Sequence, residues 1–520
     1  MKKNIVKKGI ITGVIILFIG ASLGPSIAGN SFGNEKNIPI NNEIELDVDY
    51  IYSIVQNLSD IIFTEYNESA GEIAKGRSFG TKGEHKAAQI LYENMTMLGL
   101  ITTLEQINNT EKYPTLTHGY VVLDYGLTLK NNSSGINESV DCWISAVEPG
   151  RQLAHEETFT FEEHELKIRR IPKNFKELKE ALAYDKTGEE YVFLSDIRGG
   201  LCREPNPTLP WDLALMRKFF YPIRVFPSIV YTNFRRKLEQ WYLDNFFNNC
   251  KGKIAFDFTN DTHDASSNNN VKLVPAITMN GTICRKIDND IDNYTVDFFV
   301  NETYNKSIVS YNVIGLLEGK DPSKTILVDC LYDSVWCQGT GDSGVGMGIV
   351  MGIAKYYSDN NITPKYNIKF IGFGGEETGC RGAKYYEATH KDENITYIID
   401  MNQVCSSQED PPLTLNLLVN NLGFILDIMP IVKKSNYAER VGNTDIKIRW
   451  CPLGAPSDDG VFVRERSEVK SVCFLEDFPW VMHHRDGVNH TEGDVFKHVD
   501  WNEVKVTSEL VLNITKHVTL

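Results

Sequence analysis

TILVDCLYDSVWCQGTGDSGVGMGIVMGIAKYY, Thr325 to Tyr357, decides the fold. It is read together with NIKFIGFGGEETGCRGAKYY (Asn367–Tyr386) and ITYIIDM (Ile395–Met401). Three short apolar runs, Thr325–Cys330, Asn367–Phe373 and Ile395–Met401, alternate with two longer segments of helical texture. That is the pattern of parallel strands joined by crossover helices. Acidic residues accompany each run: Asp333 and Asp342 after the first, Glu376 and Glu377 after the second, Asp400 within the third. Ligands of such sheets sit beyond the carboxyl ends of the strands. Acids meeting at one rim repel one another unless a cation neutralises them. The stretch is therefore expected to hold a metal.

The alternating pattern begins near Tyr311 and continues past Met401 with a strand at Leu413–Val419, a helix at Leu422–Lys433 and a strand at Asp445–Arg449. APSDDGVF (Ala455–Phe462) then precedes a buried strand, Val469–Leu475, and a last helix covers Asn502–His517. Upstream, apolar residues recur at helical spacing from Ile51 to Ile62, and Glu84–Met97 reads as an amphipathic helix stopped by Gly99. Between Leu116 and Ser310 the texture changes to short strand-like pieces, Tyr120–Leu123, Tyr191–Leu194 and Lys253–Phe258, among polar loops. This region is expected to be a β-rich insert, interrupted by a helix at Asn174–Tyr184. Its patch Pro205–Val230 is expected to be core or contact surface.

A chain of 520 residues is too long for one core, so two or three domains are expected. A net charge of −16 argues against nucleic acid and anionic membranes as partners. The ten cysteines include no CxxC pair, which disfavours a thiolate zinc finger and leaves one or two disulfides open. Lys2, Lys3, Lys7 and Lys8 precede an apolar run from Gly9 to Leu23. That run has the length of a signal-peptide core, with an uncleaved anchor as the alternative. Asn-x-Ser/Thr triplets such as Asn57, Asn94 and Asn394 fit export.

GTGDSGVG, FGGEETGCRGAKYY, IIDMNQV, SDDGVF and NHTEGD occur in this order. Together they resemble the zinc-dependent exopeptidase family that contains bacterial leucyl-type aminopeptidases, glutamate carboxypeptidase II and glutaminyl cyclase. GRSFGTKGEHKAAQILYENMTMLGL resembles the family's N-terminal element, and KGKIAFDF with VPAITMNGTICRKI resembles a protease-associated domain. The resemblance implies an α/β fold: a mixed, mostly parallel sheet flanked by helices, with an inserted β-rich protease-associated-like domain. It divides the chain into a signal peptide or anchor (residues 1–28), the first part of the peptidase domain (45–115), the insert (116–310) and the main part (311–520).

The resemblance also implies roles. Asp342 matches a carboxylate that bridges two zinc ions, Glu377 and His490 the ligands of one zinc, and Asp400 a ligand of the other. Glu376 matches the general base. Asp333 matches an acid that orients a metal-binding histidine two residues before it. Asp333 and Asp458 are the candidates for contact with substrate or for support of the ligands. Chemistry is consistent with this set: zinc takes carboxylate oxygen and imidazole nitrogen, lowers the pKa of water, and works with a nearby carboxylate that moves the proton.

One position departs. Leu331 stands where the family's histidine should be, and leucine binds no zinc. One tightly held zinc is therefore expected, with the second position deprived of a ligand unless Cys337, His483 or His484 reaches it. Leu331 is expected to be only partly buried, at a polar rim. Asp333, without a histidine to orient, could meet a substrate ammonium group.

The reading is a secreted zinc-dependent aminopeptidase acting on peptides, with membrane contact only through the N-terminal segment and the oligomeric state left open. Two alternatives stand beside it: a peptidase-like binding protein impaired by Leu331, and a one-zinc acyltransferase like glutaminyl cyclase.

Overall fold

The structure, a computed structural model, describes residues 45–61, 66–67, 71–72, 76–140, 142–144, 159–172, 175–195, 246–257, 276–334, 337–405, 413–442, 444–476 and 494–520. The apolar N-terminal run, the Pro205–Val230 patch, His483, His484 and His490 lie outside them. Among the described residues no helix is long and apolar enough to cross a membrane.

The chain enters through helix α1 (Val48–Ser59), helix α2 (Lys82–Met97) and strand β1 (Ile101–Gln106). Each helix starts on a side-chain cap. Asp47 accepts the Tyr50 amide at 2.9 Å, and Thr81 accepts the Glu84 amide at 3.3 Å. These caps satisfy donors that the first helical turn leaves free.

Residues 119–305 then build a sheet of their own. Its strands are β2 (Gly119–Asn131), β3 (Ile136–Val140), β4 (Cys142–Ile144), β5 (Phe159–Arg170), β6 (Tyr191–Ser195), β7 (Cys250–Asp257), β8 (Ala276–Asn280) and β9 (Tyr294–Asn305). Helix α3 (Phe175–Asp185) follows β5, and helix α4 (Gly281–Asn289) follows β8. The order across the sheet is β3-β2-β9-β5-β6-β7-β8-β4. Tyr191, Phe193 and Phe247 pack edge-to-face in its core, under Leu178 of α3.

The remaining strands join β1 in a second eight-stranded sheet. They are β10 (Tyr311–Leu317), β11 (Asp321–Leu331), β12 (Tyr366–Phe373), β13 (Ile395–Met401), β14 (Leu413–Val419), β15 (Thr444–Trp450) and β16 (Lys470–Glu476). The helices between and after them are α5 (Val345–Asp359), α6 (Arg381–Thr389), α7 (Leu422–Lys434), α8 (Tyr437–Val441), α9 (Asp459–Glu465) and α10 (Trp501–Thr519). The order is β15-β14-β16-β13-β11-β12-β10-β1. Strands β11, β12, β13 and β16 are parallel neighbours, while β10 and β14 enter antiparallel, so the sheet is mixed α/β as expected. Central β11 is buried continuously from Thr325 to Leu331, which explains why it reads as an unbroken apolar run.

The helices seal the faces. On one side α1 lies against α5, where Ile51 and Val55 approach so closely that a Cβ at Gly348 would collide with the Val55 side chain. The apolar stripe of α1 (Ile51, Ile54, Val55, Leu58) is wholly buried, each residue contributing roughly 1.5–3 kcal/mol. On the other side α6 and α9 cover Leu327, Ile371, Phe373 and Ile398 with Tyr386 and Phe462. Cys250, Cys330, Cys337, Cys380, Cys405, Cys451 and Cys473 are free thiols.

Candidate active site

The carboxyl ends of β11, β12 and β13 meet at one rim, and the acids singled out from the sequence gather there. Asp333 leaves β11 fully buried. Its Oδ1 accepts the Glu376 amide at 3.0 Å and its Oδ2 accepts the Glu377 amide at 3.2 Å. Asp333 thus stands beneath the Glu376–Glu377 turn and fixes its position. Burial and then the Glu377 charge push its carboxyl up to about 7, against the pull of the two amides.

The turn is held from its other side as well. Phe79 packs where a side chain at Gly375 would stand, and the Arg381 guanidinium lies 4.0 Å from the Phe79 ring. Arg381 Nη1 in turn donates to the Leu116 carbonyl at 2.8 Å. Glu376 is therefore presented on a rigid support. Burial, followed by Glu377, Asp458, Asp342 and Asp333, raises its carboxyl well above the usual range. The Cys380 thiol lies 3.9 Å from Glu376 Oε1. A buried carboxyl whose proton affinity is set by its neighbours is the kind of group that serves as a general acid or base.

Asp342 follows β11 on the loop that leads into α5, 5% exposed, and its peptide bond to Ser343 is cis. Asp494 holds this loop: its oxygens accept the amides of Gly341 at 2.6 Å and Asp342 at 3.1 Å. Burial pushes the Asp494 carboxyl up to about 6. Asp494 belongs to NHTEGD, where only His490 had been singled out.

Arg77 was missed altogether, and it organises both loops. Fully buried, it donates from Nε to the Tyr332 carbonyl at 2.7 Å, from Nη1 to Leu58 at 3.1 Å and Gln338 at 2.5 Å, and from Nη2 to Gly339 at 2.8 Å. Its own amide donates to Ser334 Oγ at 2.9 Å. Neighbouring Gly76 adopts a positive φ and passes against the Cys337 carbonyl, where a Cβ would not fit. The only signal of this in the sequence is an arginine between glycines in GRSFG. Nearby, buried Glu84 accepts the Gly80 amide at 2.5 Å and the Ser310 hydroxyl at 2.7 Å.

Leu331 differs from expectation. It is fully buried and belongs to the main apolar core, paired in register with Phe373. Cys337 is buried close enough to Asp494, Glu377 and Asp342 for their charges to raise its thiol, after burial itself.

Asp400 lies at the carboxyl end of β13, in register with Asp329 of β11, and Asp458 lies near enough to Glu376 for its charge to raise that carboxyl. Both are fully buried; Asp400 Oδ1 and both Asp458 oxygens lack a hydrogen bond of good geometry. Buried carboxylates left so need a proton or a cation. The donor set is carboxylate-rich, and Glu376 is surrounded by four other acids. These residues therefore fit a divalent cation of the zinc type.

Residues 312–515 match Peptidase family M28, which bears out the motif resemblance and makes the chain a metallopeptidase. The zinc aminopeptidase BSAP from Bacillus subtilis is similar over 92% of this chain and 96% of its own, at 17% identity and a TM-score of 0.58. A peptidase M28 precursor from Shewanella amazonensis SB2B covers 90% and 92%, at 14% identity and a TM-score of 0.58. An aminopeptidase from Aneurinibacillus sp. strain AM-1 covers 91% and 94%, at 13% identity and a TM-score of 0.50. At these identities the likeness is one of fold.

Proposed function

We propose that this chain, a metallopeptidase whose residues 312–515 are of peptidase family M28, is an exported aminopeptidase that removes N-terminal residues from peptides. Asp342, Glu377 and His490 would hold one zinc ion. Zinc there supplies a Lewis acid that acidifies water and polarises the scissile carbonyl. The chain's own residues supply the rest. Glu376 takes a proton from water and returns it to the departing amine. Asp333 keeps Glu376 and Glu377 in register through their two amides. Asp494 does the same for Asp342. The sheet built by residues 119–305 is a protease-associated-like insert that limits access to the cleft and leaves metal binding to the other domain. In keeping with this, His164 faces Glu162 and Asp297 of that sheet.

The observation that carries this reading is the Asp333-supported Glu376, whose carboxyl is raised by burial and then by the acids around it. It is tested with full-length protein on aminoacyl-anilides and on peptides with N-terminal glutamine. Glu376→Gln should lower kcat about a hundredfold or more and leave bound zinc unchanged. Near wild-type turnover in the variant would remove Glu376 as the base. Cyclisation of N-terminal glutamine without anilide hydrolysis would favour the acyltransferase. Zinc binding with no turnover on either substrate would favour a binding protein.

A further inference from the structure

Directly below the rim, three neighbouring strands place polar side chains in one row. Asp329 on β11 is in register with Asp400 on β13, and Asp400 with Cys473 on β16. In parallel pairing, residues in register face the same side of the sheet. Here that side is the one covered by α9, whose first residue, Asp459, descends onto the row. Asp400, Asp459 and Cys473 each offer a ligand atom within 4.8 Å of the other two.

Of these residues the motifs point only to Asp400, as a metal ligand, and to Asp458, as a candidate for substrate contact or ligand support. The five residues Asp329, Asp400, Asp458, Asp459 and Cys473 are all fully buried. Both oxygens of Asp329, both of Asp458 and one of Asp400 lack a hydrogen bond of good geometry, although Asp329 stands beside Asp400 and Asp458 beside the Cys380 thiol. Four carboxyl groups in one water-excluded cluster are costly unless positive charge offsets them. Arg464, on the same helix as Asp459, is the one cation whose charge the structure records as acting on the cluster, and it acts on Asp459 alone among the described residues.

The two carboxylates nearest the thiol are already oriented. Asp459 Oδ1 accepts the Ala455 amide at 3.0 Å, and its Oδ2 accepts the Ser471 hydroxyl at 2.7 Å. Asp400 Oδ2 faces the Asp459 amide at 3.5 Å. Such outer hydrogen bonds fix a ligand's direction while leaving its remaining lone pairs for a metal.

The structure assigns to Asp400, Asp459 and Cys473 a buried divalent-cation site, with Asp329 and Asp458 beside it, which differs from the Asp342–Glu377 position in its ligands. Two carboxylates and a thiolate suit zinc, or cobalt in its place, better than magnesium or calcium. The thiol loses its proton on binding. The site gives Asp400 a metal that does not require a histidine at position 331. It also answers the charge of the buried carboxylates. It goes beyond the aminopeptidase reading and does not depend on it.

The test uses metal-free full-length protein and cobalt(II) alone as the probe. Thiolate bound to cobalt(II) gives an intense near-ultraviolet charge-transfer absorption that carboxylate and imidazole ligands do not. The expected result is such a band, its final intensity that of one thiolate-bound cobalt per chain, with any cobalt at the Asp342–Glu377 position adding none. It disappears in Cys473→Ser and persists in Cys380→Ser and Cys337→Ser. No band in the wild type, or a band that survives Cys473→Ser, overturns the site. Circular dichroism checks folding. If Cys473→Ser does not fold, Asp459→Asn decides: cobalt affinity read from the band should fall at least tenfold, and unchanged affinity overturns the proposal. A band in a protein inactive on peptides would support this site while the function fails. Peptidase activity without a band would do the reverse.

Discussion

Asp494 holds Asp342 through the backbone: the Asp342 amide donates to Asp494 Oδ2 at 3.1 Å, and the adjoining Gly341 amide donates to Oδ1 at 2.6 Å. A carboxylate close to the last helix thus places the side chain expected to bind metal behind β11. Each Asp494 oxygen is used, so the contact sets the direction of the loop as well as its distance.

Asp494→Asn keeps the shape but offers one accepting oxygen and turns an NH2 group toward an amide N–H. Zinc affinity should fall about 10–100-fold, while the fold is kept. Competition with a chelator of known affinity measures it. Unchanged affinity would mean that Asp342 is held in place by other contacts.

Arg77→Met leaves the carbonyls of Leu58, Tyr332, Gln338 and Gly339 without their donor in a buried place. Stability should fall by at least about 3 kcal/mol. Arg77→Lys should restore little of it, because one ammonium cannot reproduce a planar fork with donors in several directions. The midpoints of urea unfolding of the three proteins decide the matter.

Leu331→His would put an imidazole into the core rather than at a wet rim, since Leu331 is fully buried. In chelator-treated protein the variant should be less stable by about 2–4 kcal/mol, from lost apolar burial and an added polar ring. Chemical denaturation in the presence of chelator checks this. A change near zero would show that the position tolerates a polar group and remains available for a ligand.

Glu503 lies on α10, where its Oε1 accepts the Tyr437 hydroxyl at 2.8 Å. Burial first, opposed by that hydrogen bond, pushes its carboxyl up from 4.5 to about 7. The folded protein therefore binds this proton more tightly than the unfolded chain. Its contribution is fully present below pH 4.5 and is lost as pH rises through about 7. Glu503→Gln cannot ionise, so the variant should lose this part of the pH dependence. Its advantage over wild type at about pH 8 should exceed that at about pH 4 by on the order of 1–3 kcal/mol. Urea unfolding at the two pH values tests it, and parallel curves would assign the proton elsewhere.

The sequence by itself determined the sheet core and the order of its parts. Apolar runs at Asn367–Phe373 and Ile395–Met401 correspond to strands Tyr366–Phe373 and Ile395–Met401, because a strand buried on both faces has no room for polar residues. The acids at the strand ends were legible for the same reason: polar residues directly after such runs must lie at the rim. Only the tertiary structure decided what those acids do. That Asp333 takes the two amides of the Glu376–Glu377 turn depends on β11 lying beside β12. Arg77 and Asp494 join distant segments to the Asp342 loop, and spacing along the chain carries no sign of such a meeting. Leu331 read as a rim residue because its neighbours Tyr332 and Asp333 are polar, yet its side chain falls inside the core. Asp329, Asp400 and Cys473 stand in one row because strand register aligns them, and register is set by pairing across the sheet, where one residue of slip would turn each side chain to the other face.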